Sequence, residues 1–306
     1  MTINIGLIGY GRWGKIICNN LIKRDINISI STSQNKKKIL SNLPQKKSVN
    51  VFKNYKLMLK DTNLDGLIIA SPPSTHEEIA IAALNSKIPV LIEKPIVMKL
   101  DGVSKIFNLA IKKKLPVLVD YIHLYSPYFN RIQKLCKNTK ILKIVSKAHS
   151  NGPIRNYSIL WDWLPHDLSM IRSLCGNTNK LEILDKIIVK KNKFGMNVKI
   201  KAKINNTIIY ISVGNLYKVK KRCLEVEYGN HNKIVYDDQK IFNKKLKQNN
   251  KFIKEKNILP LDNLINKFIF YLKKNKIYNK SFIDKLEFEK LFSQIIISDI
   301  EMIYNH

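Results

Sequence analysis

The sequence predicts an α/β protein: a doubly wound parallel sheet at the N-terminus, then an α+β domain on a largely antiparallel open sheet. Three observations predict it. Over the first 120 residues, short apolar runs alternate with segments of helical spacing. A glycine-rich turn, Gly9-Tyr10-Gly11-Arg12-Trp13-Gly14, joins the first run to the first helix. Beyond residue 120 the grammar shifts to β-rich runs with tight turns. The expected domains are therefore 1–120 and 121–306.

Ile3–Ile8 is a short apolar run and the first strand; Trp13, Ile16, Ile17 and Leu21 then recur at helical spacing. Ile26–Thr32 is a second strand. Gly66–Ala70 is a continuous apolar run, as expected of a strand buried on both faces. Glu77–Asn85 reads as a helix. Lys87-Ile-Pro-Val-Leu-Ile and Lys114-Leu-Pro-Val-Leu-Val echo each other as inner parallel strands entered through proline. Such β–α repetition argues for right-handed crossovers in one sheet. In the second half, Ile141–His149, Ile183–Lys190, Val198–Ile204 and Thr207–Val213 are β-rich, with a hairpin turn at Asn205-Asn206. Leu224, Val226 and Tyr228 alternate with charged residues, and a turn at Gly229–Asn232 leads to Ile234 and Tyr236. The Lys-, Asn- and Gln-rich segment 237–257 reads as a mobile loop or insertion, and 261–275 and 282–304 as terminal helices.

The chain of 306 residues carries 54 basic and 23 acidic residues, a net charge of +31. Only six of the basic residues are Arg: Arg12, Arg24, Arg131, Arg155, Arg172 and Arg222. Lys, Asn and Ile abound together, which reads as A/T-rich codon bias on a solvated surface. A nucleic-acid reader needs clustered cations with Arg for bidentate contacts, and no such cluster stands here. An anionic substrate drawn by the positive field is the remaining reading. The four cysteines, Cys18, Cys136, Cys175 and Cys223, form no C-x-x-C, so no zinc or other metal site and no redox pair is expected. A reduced, cytoplasmic setting fits. The strand starting within three residues of Met1 argues against a signal peptide. No apolar run reaches the ~18 residues that a membrane helix needs.

The G-x-G-x-x-G turn follows a strand and opens a helix, the context of a Rossmann dinucleotide site. Gly9 permits the turn, Gly11 lets backbone approach a pyrophosphate, and Gly14 lets helix and strand pack closely. The helix N-terminus supplies free N–H groups for phosphate. At the tip of the second strand, where an acidic residue would hold the ribose of NAD, stand Ser31, Thr32 and Ser33, followed by Lys36, Lys37 and Lys38. That favours NADP slightly over NAD.

Further motifs follow in order. Ser71-Pro72-Pro-Ser-Thr-His76 follows the GLIIA strand, and Glu93-Lys94-Pro95 ends the VLIE strand. Val119-Asp-Tyr-Ile-His-Leu-Tyr-Ser-Pro127 leads into the second half. Trp161-Asp162-Trp163-Leu-Pro-His166-Asp167 and Leu259-Pro-Leu261 come later. Together these resemble the Gfo/Idh/MocA family of nicotinamide-dependent oxidoreductases, along essentially the whole chain. Leu164 departs from the glycine of that family's D-x-G-x-H segment. The resemblance implies that Lys94 and His166 form the acid–base pair, with either one taking the hydroxyl proton. It also implies a homodimer or homotetramer.

The residue types suit that chemistry independently. Oxidising a carbinol needs a base for its proton while hydride leaves for a nicotinamide. Lys94 is placed at the carboxyl end of a parallel strand, where open α/β sheets bind ligands, and a desolvated amine suits proton transfer. His166 after Pro165 is expected in the first turn of a helix, where the dipole disfavours imidazolium. Asp162 either orients His166 or binds substrate, and Asp167 caps the helix. Glu93 positions Lys94 or a ribose hydroxyl, and His76 is expected on the nicotinamide side. Tyr121, His123, Tyr125, Arg155, Trp161 and Trp163 are candidates to line a substrate cleft. The predicted activity is hydride transfer on a sugar, cyclitol or nucleotide sugar. The alternatives are a non-catalytic dinucleotide-binding sensor or scaffold, and an NAD-dependent glycoside-cleaving enzyme working through a transient 3-keto sugar. A nucleic-acid binder rests on charge alone.

Overall fold

The structure, a computed structural model, describes residues 2–41, 43, 49–152, 155–193, 195–240, 242–273 and 280–306. They divide into two compact units, 1–120 with 261–294 and 121–260 with 295–306.

In the first unit, β1 (Ile3–Ile8), β2 (Ile26–Ser31), β3 (Val49–Phe52), β4 (Gly66–Ile69), β5 (Val90–Ile92) and β6 (Val117–Val119) form one sheet in the order β3-β2-β1-β4-β5-β6. Every pairing is parallel. The central strands are continuous apolar runs because helices cover both faces; β4, β5 and β6 are buried at every residue. The helices are α1 (Arg12–Ile22), α2 (Lys36–Ser41), α3 (Tyr55–Asp61), α4 (His76–Asn85) and α5 (Leu100–Lys113). The order reverses between β1 and β4, which opens a crevice at their carboxyl ends. A further helix, α8 (Pro260–Lys273), returns to this unit: Phe268 and Leu272 cover Gly66 of β4, and Asp262 accepts from Asn20 of α1 at 2.7 Å.

The second unit holds α6 (Pro127–Cys136) and an eight-stranded sheet. Its strands are β7 (Ile141–Asn151), β8 (Glu182–Asn192), β9 (Gly195–Ile204), β10 (Thr207–Gly214), β11 (Leu216–Tyr228), β12 (Asn232–Asp237), β13 (Leu246–Gln248) and β14 (Lys251–Ile253). The order is β14-β13-β12-β11-β7-β10-β9-β8, antiparallel except where β10 runs parallel to β7. The period-2 pattern works as expected: Val198, Ile200, Ala202 and Ile204 of β9 are buried, while Lys199 and Lys201 are exposed. Asn205, at φ 51°, makes the β9–β10 turn, and Gly229 and His231 the β11–β12 turn. The helix α7 (Ile159–Cys175) belongs to this unit, as does the last stretch of α9 (Lys280–Asn305).

Within the segment 237–257 the described residues correct the reading as a mobile loop: they include a hairpin. Strands β13 and β14 form a hairpin on β12, with Leu246 opposite Tyr236 and wholly buried. One buried leucine fixes the register, and the surrounding Lys, Asn and Gln mask the alternation in the sequence.

Candidate functional site

The glycine loop sits at the switch point of the first sheet, between β1 and α1. Gly9 has φ 94°, and a Cβ there would lie 2.4 Å from the Ala70 carbonyl oxygen, so only glycine fits. A Cβ on Gly14 would lie 2.1 Å from the Gly9 carbonyl oxygen; this is the close strand–helix approach. Gly11, the N-cap of α1, is different. A Cβ there would meet nothing within 4 Å. The space before the free N–H groups of α1 is therefore open, and no acidic side chain occupies the first turn. A pyrophosphate fits that cradle.

At the tip of β2, Ser31 and Thr32 are buried and Ser33 exposed. Ser31 accepts from Gly9 N through its carbonyl at 2.9 Å. Gln34, which sequence reasoning passed over, donates from Nε2 to the Tyr10 carbonyl at 2.7 Å and ties this tip to the glycine loop. Lys36–Lys38 open the exposed turn of α2, and no carboxylate stands at the tip.

Ser71 and Pro72 lead from β4 into a tight helical turn, with Ser71 Oγ and Thr75 Oγ1 2.7 Å apart. His76 corrects its expected place. It faces no ligand space: it is 0% exposed, with Nδ1 3.0 Å from the Pro95 carbonyl oxygen and Nε2 2.9 Å from that of Ser71. Burial lowers its pKa, against the pull of those carbonyls. It braces the Ser71 turn against the segment that carries Lys94.

Glu93 and Lys94 end β5, and both are half-buried. The Lys94 amide donates to Glu93 Oε2 at 3.2 Å. Trp13, the second residue of α1, donates its indole N–H to Asp120 Oδ2 at 3.2 Å. Asp120 went unnoticed in the sequence, although it ends β6 beside Glu93. Burial, then the neighbouring Asp120, pushes Glu93 well above the ordinary glutamate range; burial also raises Asp120. The glycine loop, the Ser71 turn and the Glu93–Lys94 turn thus share the carboxyl edge of one sheet.

The second unit assembles its own cluster on α7. Ser158 caps this helix, accepting from the Leu160 amide at 3.3 Å. Pro165 therefore lies inside the helix rather than at its start, and His166 is a mid-helix residue. The dipole argument for His166 fails accordingly. Proline costs the helix the bond to the Trp161 carbonyl, a loss one strong cap and a buried face offset. Asp162 is the residue in the first turn, one turn below His166, and accepts from Arg155 Nε at 3.3 Å. Asp167 is not a cap. It is wholly buried and accepts from Ser146 Oγ and, at 3.3 Å, from Arg222 Nη1. The Arg222 guanidinium also lies over the Trp163 ring, 5.8 Å from its centre.

His123, in the short turn Ile122–Tyr125, meets the His166 ring edge-on, with centroids 5.1 Å apart. Tyr121 and Trp161 are buried, and Tyr125 is half-buried. His123 in turn acts on Asp238, which is hidden in the segment read as a loop. Asp238 accepts from Tyr236 Oη at 2.8 Å and Lys245 Nζ at 2.9 Å. Burial would raise its pKa, but His123 and Lys245 hold it below the usual range. Among the described residues no group of three or more His, Cys, Asp or Glu is placed to hold a metal ion, and no helix is long and apolar enough to cross a membrane.

A parallel sheet of this order, with an open glycine cradle at its switch point, defines a dinucleotide-binding type of domain. Residues 3–121 match the model of the oxidoreductase family GFO_IDH_MocA, NAD-binding Rossmann fold, so the similarity to that family rests on the first unit. Myo-inositol 2-dehydrogenase of Thermotoga maritima is 26% identical over 184 residues, 57% of this chain and 55% of that protein. The chain thus spans about half the length of the curated relatives it matches. The fold as a whole is similar to UDP-N-acetylglucosamine 3-dehydrogenase of Acidithiobacillus ferrooxidans (TM-score 0.74, 14% identity, 99% of this chain and 97% of that one). It is also similar to a 3-ketoreductase of Actinomadura kijaniata in complex with TDP-benzene and NADP (TM-score 0.79, 12% identity, 100% and 98% covered).

Proposed function

We propose that this chain is an NAD(P)-dependent oxidoreductase that moves a hydride between the nicotinamide and a carbinol or keto carbon of a sugar, cyclitol or nucleotide sugar. The observation that carries this reading is Lys94 on the same sheet edge as the open glycine loop. Gly9–Gly14, Ser31–Ser33 and the Ser71 turn would hold the coenzyme, which when bound supplies the hydride acceptor or donor. Lys94 and His166 are the acid and base; one of them accepts the hydroxyl proton as the carbinol C–H leaves as hydride. Asp162, paired with Arg155, fixes the turn of α7 below His166. His123, Tyr121, Tyr125, Trp161, Trp163 and Arg155 select the substrate, with Arg155 suited to an anionic group. The cyclitol and nucleotide-sugar classes follow the names of the relatives. The exposed Ser33 and nearby Lys36–Lys38, with no carboxylate, support NADP ahead of NAD. The unpaired cysteines fit a cytoplasmic protein.

The test is a titration of coenzyme-stripped protein with NADH and with NADPH, followed by nicotinamide fluorescence. Micromolar binding with NADPH the tighter is expected, followed by turnover of a sugar, cyclitol or UDP-sugar at 340 nm. No binding of either form would leave the glycine loop as architecture and favour a scaffold; release of an aglycone would favour glycoside cleavage. The chain is expected to form a homodimer or homotetramer through the open sheet of its second unit, where Ile187, Ile188 and Val189 of β8 are exposed. Light scattering at a monomer mass across concentrations would refute this.

A further inference from the structure

The carboxyl ends of β5 and β6 hold two acids where one would serve. Ile92 pairs with Val119 in register, and the Asp120 amide donates to the Ile92 carbonyl at 2.7 Å. Glu93 and Asp120 therefore leave adjacent strands side by side, and their carboxyl groups are within hydrogen-bond reach of each other. Each has one oxygen engaged: Glu93 Oε2 by the Lys94 amide, Asp120 Oδ2 by the Trp13 indole. The other oxygens, Glu93 Oε1 and Asp120 Oδ1, are shut off from solvent with no donor on either. Two ionised carboxylates in contact, each with a desolvated oxygen and no donor, are not a stable arrangement. One proton between them satisfies both oxygens and removes the repulsion.

We propose that Glu93 and Asp120 share one proton, and that Asp120 is a positioning residue that locks Trp13 of the glycine loop to the Glu93–Lys94 turn. The pair then carries one negative charge beside Lys94, not two. Glu93 holds the proton and donates; Asp120 stays the acceptor of both Glu93 and Trp13. The other groups that act on the pair are few. Lys94 draws both acids toward ionisation, and the Trp13 indole does the same by hydrogen bonding. His76 lies against the Pro95 carbonyl on the same turn, and burial lowers its pKa. The pair titrates as one unit, so its midpoints belong to the couple.

The pair rests on the geometry of the first unit alone; only its coenzyme readout depends on the dinucleotide reading. The first measurement is the infrared carbonyl stretch of a protonated carboxylic acid in coenzyme-free protein across pH. The band is expected to persist at neutral pH in the wild type and to vanish there in Glu93→Gln. In Asp120→Asn, loss of the like charge moves its midpoint to lower pH, while burial keeps it above that of an exposed glutamate. The second measurement is NADPH and NADH affinity across pH. Asp120→Ala, which leaves the Trp13 N–H without its acceptor, is expected to weaken binding about 5–10-fold. Asp120→Asn, which keeps an acceptor, restores the affinity but shifts its pH profile along with the band. A wild type with no protonated-acid band at neutral pH overturns the proposal, as does a band unmoved by both Glu93→Gln and Asp120→Asn. If Asp120→Asn does not fold, Glu93→Gln decides alone. A band that behaves as described in a protein that binds no coenzyme refutes the dinucleotide reading and leaves the pair standing.

Discussion

Lys94→Ala is expected to lower kcat by about 10²–10⁴-fold, the usual contribution of a positioned proton-transfer group. Coenzyme affinity should change far less, because the glycine loop and Ser71 turn, not the Lys94 amine, form the cradle. The expectation follows from where the residue stands. Lys94 leaves β5 at the edge that the glycine loop also reaches, and its amide is tied to Glu93 Oε2. The backbone is thus held from behind, by Glu93 and by the His76 brace on Pro95, while the side chain stays half-exposed. Steady-state kinetics with the substrate found by screening separates the possibilities. A fall in kcat and kcat/KM together marks an interaction made in the transition state; a rise in KM alone marks binding only. The second outcome would move the proton transfer to His166. Lys94→Ala has a second consequence in the free protein. It removes the cation that draws Glu93 and Asp120 toward ionisation, so their shared proton should persist to higher pH than in the wild type.

The parts of the site legible in the sequence are those where backbone geometry demands particular residues. Gly9 and Gly14 announce themselves because nothing else fits at φ 94° or against a carbonyl oxygen. The inner strands are legible because burial on both faces leaves only apolar residues. Less legible was the start of α7, since proline more often opens a helix than sits within one; the local signal was Ser158, and the apolar run Ile159–Trp161 that follows it. Asp120 and Asp238 were invisible for another reason. Each derives its character from partners distant in the chain: Trp13 and Glu93 for the one, His123 and Lys245 for the other. No local spacing encodes such contacts. The same holds for α8, which returns to the first unit through Asn20, Arg24 and Gly66. Hydrophobic periodicity shows that a helix exists and which face it buries, but not which sheet receives it.

The largest effect on stability is expected at Arg172, the arginine at the far end of the helix that carries Asp162 and His166. It is 2% exposed and holds Asp299 of α9 through two bonds, Nε to Oδ2 at 2.6 Å and Nη2 to Oδ1 at 2.7 Å. Nη1 donates to the Asn179 carbonyl at 2.6 Å, so the fork is occupied on both sides. Breaking such a buried pair by removing one partner leaves a charge with no solvent and no counter-ion, which costs about 3–5 kcal/mol. Asp299→Leu, which strands the guanidinium, should therefore destabilise by that amount in urea unfolding. Arg172→Met strands the carboxylate, but Asp299 can escape by taking up a proton. Burial already pushes its pKa up against the pull of Arg172. The cost of Arg172→Met should accordingly be the smaller of the two and should shrink as pH falls. The double replacement Arg172→Met, Asp299→Leu should recover most of the loss, since apolar groups of similar volume need no partner. A double variant no better than the worse single one would show that the Asn179 contact and local packing hold α7, not the ion pair. Equal costs for the two single changes at every pH would show that the stranded carboxylate stays charged, against the direction burial gives it.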